Sequence, residues 1–135
     1  MNKNMPENLK YTNSHEWVRV EGALATIGLT EFAQQQLGEV VFIELPAVGR
    51  TLRAGEQCAV VESLKAATDV YAPVSGEVVK VNQAVVDNPT LVNKDPYGAG
   101  WFYCVRLSQP AELETLLDPQ QYAALAVKTE PLQQD

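Results

Sequence analysis

From Trp17 to Leu107 the chain is cut into short β-prone runs, each closed by a glycine, a proline or an Asn- and Asp-rich stretch. Such punctuation leaves little room for long helices and calls for a mainly β molecule built from hairpins. The stretch Trp17-Val-Arg-Val-Glu-Gly-Ala-Leu-Ala-Thr-Ile-Gly28 reads as two strands about Glu21-Gly22. Further strands are expected at 39–45, 58–62, 68–72, 77–81 and 100–107, with a loop rich in Asn, Asp and Pro over 82–99. Two segments change the period. Thr30 is placed to N-cap Glu31-Phe-Ala-Gln-Gln-Gln-Leu37, with Phe32 and Leu37 to bury and Gly38 to stop the helix. In the tail, Ser108 reads as an N-cap ahead of Pro110, with Leu113, Leu116 and Leu117 at helical spacing. Asp118-Pro-Gln-Gln121 then reads as a capping-box variant that restarts the pattern through Tyr122, Leu125 and Ala126. The C-terminus is therefore expected as one broken helix or two short ones packed on the sheet.

The tetrapeptide Gly38-Glu-Val-Val41 returns as Gly76-Glu-Val-Val79. The copies flank a hairpin near 58–72, which predicts a flattened barrel or sandwich of two quasi-symmetric halves. At 135 residues the chain suits one domain, compact over about 9–125, with frayed ends up to 8 and over 129–135.

Ten basic against seventeen acidic residues give a formal net charge of −7. That balance repels phosphate backbones, so neither nucleic acid nor an anionic membrane is an expected partner. The N-terminus has no apolar core, no Ala-x-Ala site and no arginine before Arg19, and no apolar run is long enough to span a bilayer. The expected location is the cytoplasm, or the mitochondrial matrix only if a transit peptide has been removed. Cys58 and Cys104 form no CxxC pattern and read as small buried hydrophobes in a reducing compartment.

Chemistry of its own is hard to find in this chain. There is one histidine, His15, and no GxSxG, Walker A, GxGxxG, HExxH or EF-hand pattern, so neither an enzyme nor a metal site is expected. What remains is Val60-Val-Glu-Ser-Leu-Lys-Ala-Ala-Thr-Asp-Val-Tyr-Ala-Pro73: a strand, a reversal around 64–67 and a second strand. Lys65 stands at its tip beside the small Ala66 and Ala67, where an enzyme could enclose and acylate the amine.

The string from Glu62 to Val79 closely resembles the lipoyl-lysine segment of the glycine cleavage system H-protein family. The same family is matched, in order, by Ser14-His-Glu-Trp17, Gly28-Leu-Thr-Glu-Phe-Ala-Gln34, Leu37-Gly-Glu-Val-Val-Phe-Ile-Glu-Leu-Pro46 and Leu91-Val-Asn-Lys-Asp-Pro-Tyr-Gly98. The resemblance runs from about residue 9 to 125. Leu64 stands where valine or isoleucine is also usual and Thr68 where serine is usual, so both departures are conservative. Biotin carriers are disfavoured, because methionines normally flank their lysine. Lipoyl domains of 2-oxoacid dehydrogenases usually show an Asp-Lys-Ala turn, absent here.

The resemblance implies a non-catalytic carrier with lipoate in amide linkage on Lys65. Such a carrier takes an aminomethyl group from the pyridoxal-phosphate glycine decarboxylase (P-protein) to the tetrahydrofolate-dependent aminomethyltransferase (T-protein). It then presents dihydrolipoyl to dihydrolipoamide dehydrogenase (L-protein) for reoxidation. A lipoate ligase or a lipoyl/octanoyl transferase would load it. The resemblance also implies that Ser14, Glu16 and Asp69 form a cleft for the loaded arm, and that Glu62 and Asp69 mark the turn for the loading enzyme. His15 and Trp17 are expected as packing or turn residues. Two alternatives stand beside this reading: an H-like lipoyl protein that relays lipoate or carries sulfur intermediates, and an interaction domain whose Lys65 stays unmodified.

Overall fold

The computed structural model describes the backbone of residues 8–129 and the side chains of 8–125; the expected frayed ends, save residue 8 and Thr129 (the last residue of a helix), and the apolar role of Ala126 lie outside the described residues. Among the described residues, nine strands form two antiparallel sheets. The larger has the order β1 (Lys10–Tyr11), β2 (Glu16–Glu21), β3 (Leu24–Leu29), β9 (Tyr103–Leu107), β8 (Gly76–Val81), β5 (Thr51–Leu52). The smaller has the order β4 (Val40–Glu44), β6 (Gln57–Ser63), β7 (Ala67–Tyr71). Their inner faces meet in one apolar cluster that includes Val18, Ile27, Ile43, Leu52, Val61, Val70, Val78 and Val105. This is a mainly β, sandwich-like arrangement, as expected. The echoed tetrapeptides open β4 and β8, one in each sheet. Without β1, β2 and β3 each sheet would hold three strands, which is the physical content of the two related halves.

The two glycines of the echo do different work. Gly38 ends α1 (Glu31–Leu37) at φ 79°, a backbone setting that side chains resist. Gly76 instead has the carbonyl of Arg106 on β9 where a Cβ would stand, so close strand pairing demands it. α1 begins as expected, with Thr30 Oγ accepting from the Ala33 amide at 3.1 Å. Leu37 is buried, while Phe32 is only half-buried, its ring against His15.

The expected loop over 82–99 contains two short helices, α2 (Gln83–Asp87) and α3 (Leu91–Lys94). The Asn82 side chain caps α2 by accepting from Ala84 N at 3.2 Å, and each helix sends one valine, Val85 and Val92, into the core with no exposure. A single buried residue per turn of helix gives no periodic signal against so many turn-forming neighbours. The strand expected over 100–107 starts only at Tyr103, because Asn82 Nδ2 donates to the carbonyls of Ala99 (2.8 Å) and Trp101 (2.7 Å) and holds that stretch in a loop. Two two-residue strands, β1 and β5, had no signal of their own.

The tail is a 3-10 helix (Pro110–Thr115) followed by α4 (Pro119–Thr129). Ser108 does not cap the first; Gln109 occupies that position without a side-chain bond, and Ser108 N donates to Ser75 O instead. The capping box does form: Gln121 N donates to Asp118 Oδ1 at 2.7 Å and Asp118 N to Gln121 Oε1 at 2.9 Å. Between them the chain extends, and Leu117 exchanges backbone bonds of 2.7 and 2.8 Å with Tyr11. Tyr122 stacks on Tyr11 at 4.8 Å and, with Leu9 and Trp17, forms a second apolar cluster. Both cysteines are unpaired and buried, and burial pushes the Cys58 thiol up to about 11. No helix of the described residues is long and apolar enough to cross a membrane.

Candidate functional site

β6 and β7 form an antiparallel hairpin with Val60 opposite Asp69, Val61 opposite Thr68 and Glu62 opposite Ala67. The apolar side of the hairpin, Val61 and Val70, is buried in the core, so the reversal projects beyond it. Leu64, Lys65 and Ala66 are all exposed at the tip, Leu64 by 74%. The tip is ordered rather than loose. Ser63 N donates to Ala66 O at 2.7 Å, and Leu64 N reaches across to Glu39 O at 3.1 Å, at the corner between α1 and β4.

Alternation along β7 puts Ala67, Asp69 and Tyr71 on the outer, exposed face. That face leads from the tip to a cleft of ≈ 250 Å³, whose lining includes Ser14, Glu16, Tyr71, Pro73 and Leu116. A tight turn builds the cleft's floor: His15 N donates to Thr12 O, and His15 takes φ 74°, a left-handed setting. The turn folds two hydroxyls over the Glu16 carboxylate. Glu16 is only 1% exposed; Oε1 accepts from Thr12 Oγ1 at 2.5 Å and Ser14 Oγ at 2.6 Å, and Oε2 from Tyr71 N at 3.1 Å. Burial pushes the carboxyl above its ordinary range, and the three donors, with their preference for the charged form, pull partly back.

The expected site residues thus divide. Ser14 and Glu16 share the cleft; Asp69 stands on the face of β7 that leads to it; Lys65 and Glu62 lie at the hairpin's other end. Glu16 is no ordinary exposed acid: it binds β2, in the larger sheet, to β7, in the smaller. Sequence reasoning missed Thr12 and Tyr71. Thr12 could have been suspected as a second hydroxyl-bearing residue, two positions before Ser14 and four before Glu16. Tyr71 contributes a backbone amide, which no side-chain pattern announces. His15 and Trp17 are packing and turn residues. His15 Nδ1 pairs with Tyr122 OH at 2.8 Å, and Trp17 Nε1 donates to Pro96 O at 3.0 Å. Among the described residues no group of three or more His, Cys, Asp or Glu could hold a metal ion.

Comparison with known proteins bears on what such a hairpin and cleft belong to. The family model described as "Glycine cleavage H-protein" matches residues 9–129. A glycine cleavage system H protein of Carboxydothermus hydrogenoformans is 54% identical over 121 residues, 90% of this chain and 93% of the relative. One from an Enterobacter species is 55% identical over 123 residues, 90% of this chain and 95% of the relative. The crystal structure of a glycine cleavage system H protein from Mycobacterium marinum superposes with a TM-score of 0.80 at 41% identity, covering 89% of this chain and 97% of that one. With agreement of family model, sequence and fold over nearly its whole length, the chain belongs to the glycine cleavage H-protein family.

Proposed function

We propose that this protein is the lipoyl-lysine carrier of a glycine cleavage system, with lipoate attached to Lys65. The observation that carries the reading is the position of Lys65: exposed at the end of an ordered hairpin, in a chain of this family. The residues present fit the group, because Lys65 is exposed at the tip between Leu64 and Ala66, and Gly38, the residue its chain passes over, has no side chain to crowd it. When bound, the lipoyl group supplies a disulfide that takes up the aminomethyl unit and is left reduced.

Everything else falls to the chain's own residues. The β6–β7 hairpin holds the anchor rigid while the arm swings, so the arm is presented at roughly millimolar effective concentration or above to whichever active site has docked. The carrier moves the aminomethyl group from P-protein to T-protein and then meets L-protein, catalysing none of the three reactions. The outer face of β7 gives the loaded arm a path of about 13 Å from Ala67 to Tyr71, at the strand rise of about 3.3 Å per residue. At its end the Glu16 carboxylate, with three of its roughly four acceptor positions used, keeps room for one charge-assisted bond from a protonated amine. Ser14 orients that carboxylate, and Asp69 adds negative charge along the path. Glu62 and Asp69, flanking the turn on adjacent strands, are marks the loading enzyme can read.

Intact mass after incubation with lipoate, ATP and a lipoate ligase tests the anchor. The wild-type chain should gain one lipoyl increment and Lys65→Arg none, with both equally folded by circular dichroism. A lipoyl increment on Lys65→Arg sinks the assignment. Glycine-dependent reduction of NAD in a mixture with P-, T- and L-protein then separates a glycine carrier from a lipoate relay.

A further inference from the structure

The tip of the β6–β7 hairpin satisfies its own backbone although it is exposed. Three consecutive amides project there, those of Leu64, Lys65 and Ala66. The first donates to Glu39 O at 3.1 Å; the other two converge on one atom, Ser63 Oγ, at 3.2 and 3.1 Å. The same hydroxyl lies 3.3 Å from Ala66 O, to which it can donate its own hydrogen. A solvent-facing turn has no need of these bonds to satisfy its amides, since water would serve. What the bonds supply is a single conformation of the peptide units on both sides of Lys65 Cα.

The surface beneath the tip is held with the same care. Asn93, on α3, donates to Gly38 O and to Gln34 Oε1, both at 2.8 Å, and accepts from Val40 N at 2.9 Å. That fixes the corner whose next carbonyl, Glu39 O, receives Leu64. Gly38 leaves the corner bare, and a Cβ there would lie 3.5 Å from Lys65 Cε.

We propose that Ser63 is a positioning residue for the acylation of Lys65: its hydroxyl fixes the direction in which the lysine leaves the turn, and the loading enzyme reads that direction. The inference rests on the carrier reading. The reaction it serves is an ordinary acyl transfer from a lipoyl adenylate. Lys65 Nζ, after shedding its ammonium proton to solvent, forms the C–N bond; the acyl–oxygen bond to adenylate breaks, and a second proton leaves as the amide forms. Ser63 takes no part in that exchange. It removes the search through turn conformations that would otherwise precede each productive encounter, and misorientation of this kind is costly to rate.

Three variants and two readouts decide it. Initial rates of acylation with lipoate, ATP and a lipoate ligase are expected to give kcat/KM about tenfold lower for Ser63→Ala and within about twofold of wild type for Ser63→Thr, which keeps the hydroxyl. Amide hydrogen exchange is expected to accelerate in Ser63→Ala at Lys65 and Ala66 while Val60 and Val61 keep wild-type protection. Asn93→Ala, which loosens the corner, is expected to accelerate exchange at Leu64 and leave Lys65 and Ala66 protected. Wild-type acylation of Ser63→Ala, or a Ser63→Thr variant as slow as Ser63→Ala, overturns the proposal. So does loss of protection spread evenly through β6, which would make Ser63 a general support of the sheet. A wild-type chain that stays at its unmodified mass under these conditions refutes the carrier reading itself, a result distinct from all of these.

Discussion

Trp17 on β2 and Gly28 on β3 are opposite one another, and the indole fills the space a side chain would need. A Cβ on Gly28 would lie 2.6 Å from Trp17 Cζ2 and 2.7 Å from Cε2, while Trp17 has no exposure and nowhere to retreat. Gly28→Ala should therefore destabilise by about 1–3 kcal/mol, seen as a lower urea midpoint at unchanged slope. Glu16 makes a prediction in pH. Its folded pKa is raised above the ordinary 4.5, so the native state holds the proton more tightly than the unfolded chain does. Its contribution to stability is complete below 4.5 and is lost as pH rises through the elevated folded value. Glu16→Gln, which cannot ionise, should close its stability gap to wild type as pH rises from about 4 toward neutrality; a gap that widens would contradict the burial argument. The exposed place of Lys65 at a hairpin tip was legible in sequence because it depends on contiguous neighbours. The state of Glu16 was not: burial and the Tyr71 amide arrive from a strand 55 residues away.

At the scale of elements, caps were readable and short helices were not. Thr30 and the pair Asp118–Gln121 announce helix starts through local chemistry, and the structure forms all of those bonds. α2 and α3 are stabilised by what they touch, Val85 and Val92 in the core and Asn93 on the corner, rather than by their own propensity. Thr30 also shows why a cap can be worth more than a cap. Its hydroxyl has no exposure and is shared with Tyr122 OH at 2.7 Å, so α1 and α4 are tied through one oxygen. Thr30→Ala should cost about 2 kcal/mol, the upper end for a lost cap. Combined with Tyr122→Phe, the double variant should lose less than the sum of the singles by about 1 kcal/mol in chemical denaturation, the worth of a shared bond.

For the whole molecule, charge sets how partners are met. The proposed acylation would remove the Lys65 cation and leave the chain one unit more negative than its formal −7. On the proposed carrier reading three enzymes would each dock and release it, and attraction between its acidic surface and basic patches would speed encounter more than it slows departure. Raising salt from about 0.05 M to about 0.5 M should raise the KM of each partner for the acylated chain and leave kcat little changed. The two-halves architecture could be anticipated from one repeated tetrapeptide, since each copy opens a strand. The outermost strand of the larger sheet could not, because β1 is only two residues long and is recognised by its pairing with β2 and the bridge from Tyr11 to Leu117.

One carboxylate links these scales. Glu16 joins the two sheets through the Tyr71 amide and also forms the floor where a cationic cargo would come to rest. A mutation that retunes selectivity at that point must also loosen a rivet between the layers. Evolution toward a different passenger is thereby steered away from Glu16 and its partner Ser14, to exposed positions such as Asp69 on the outer face of β7.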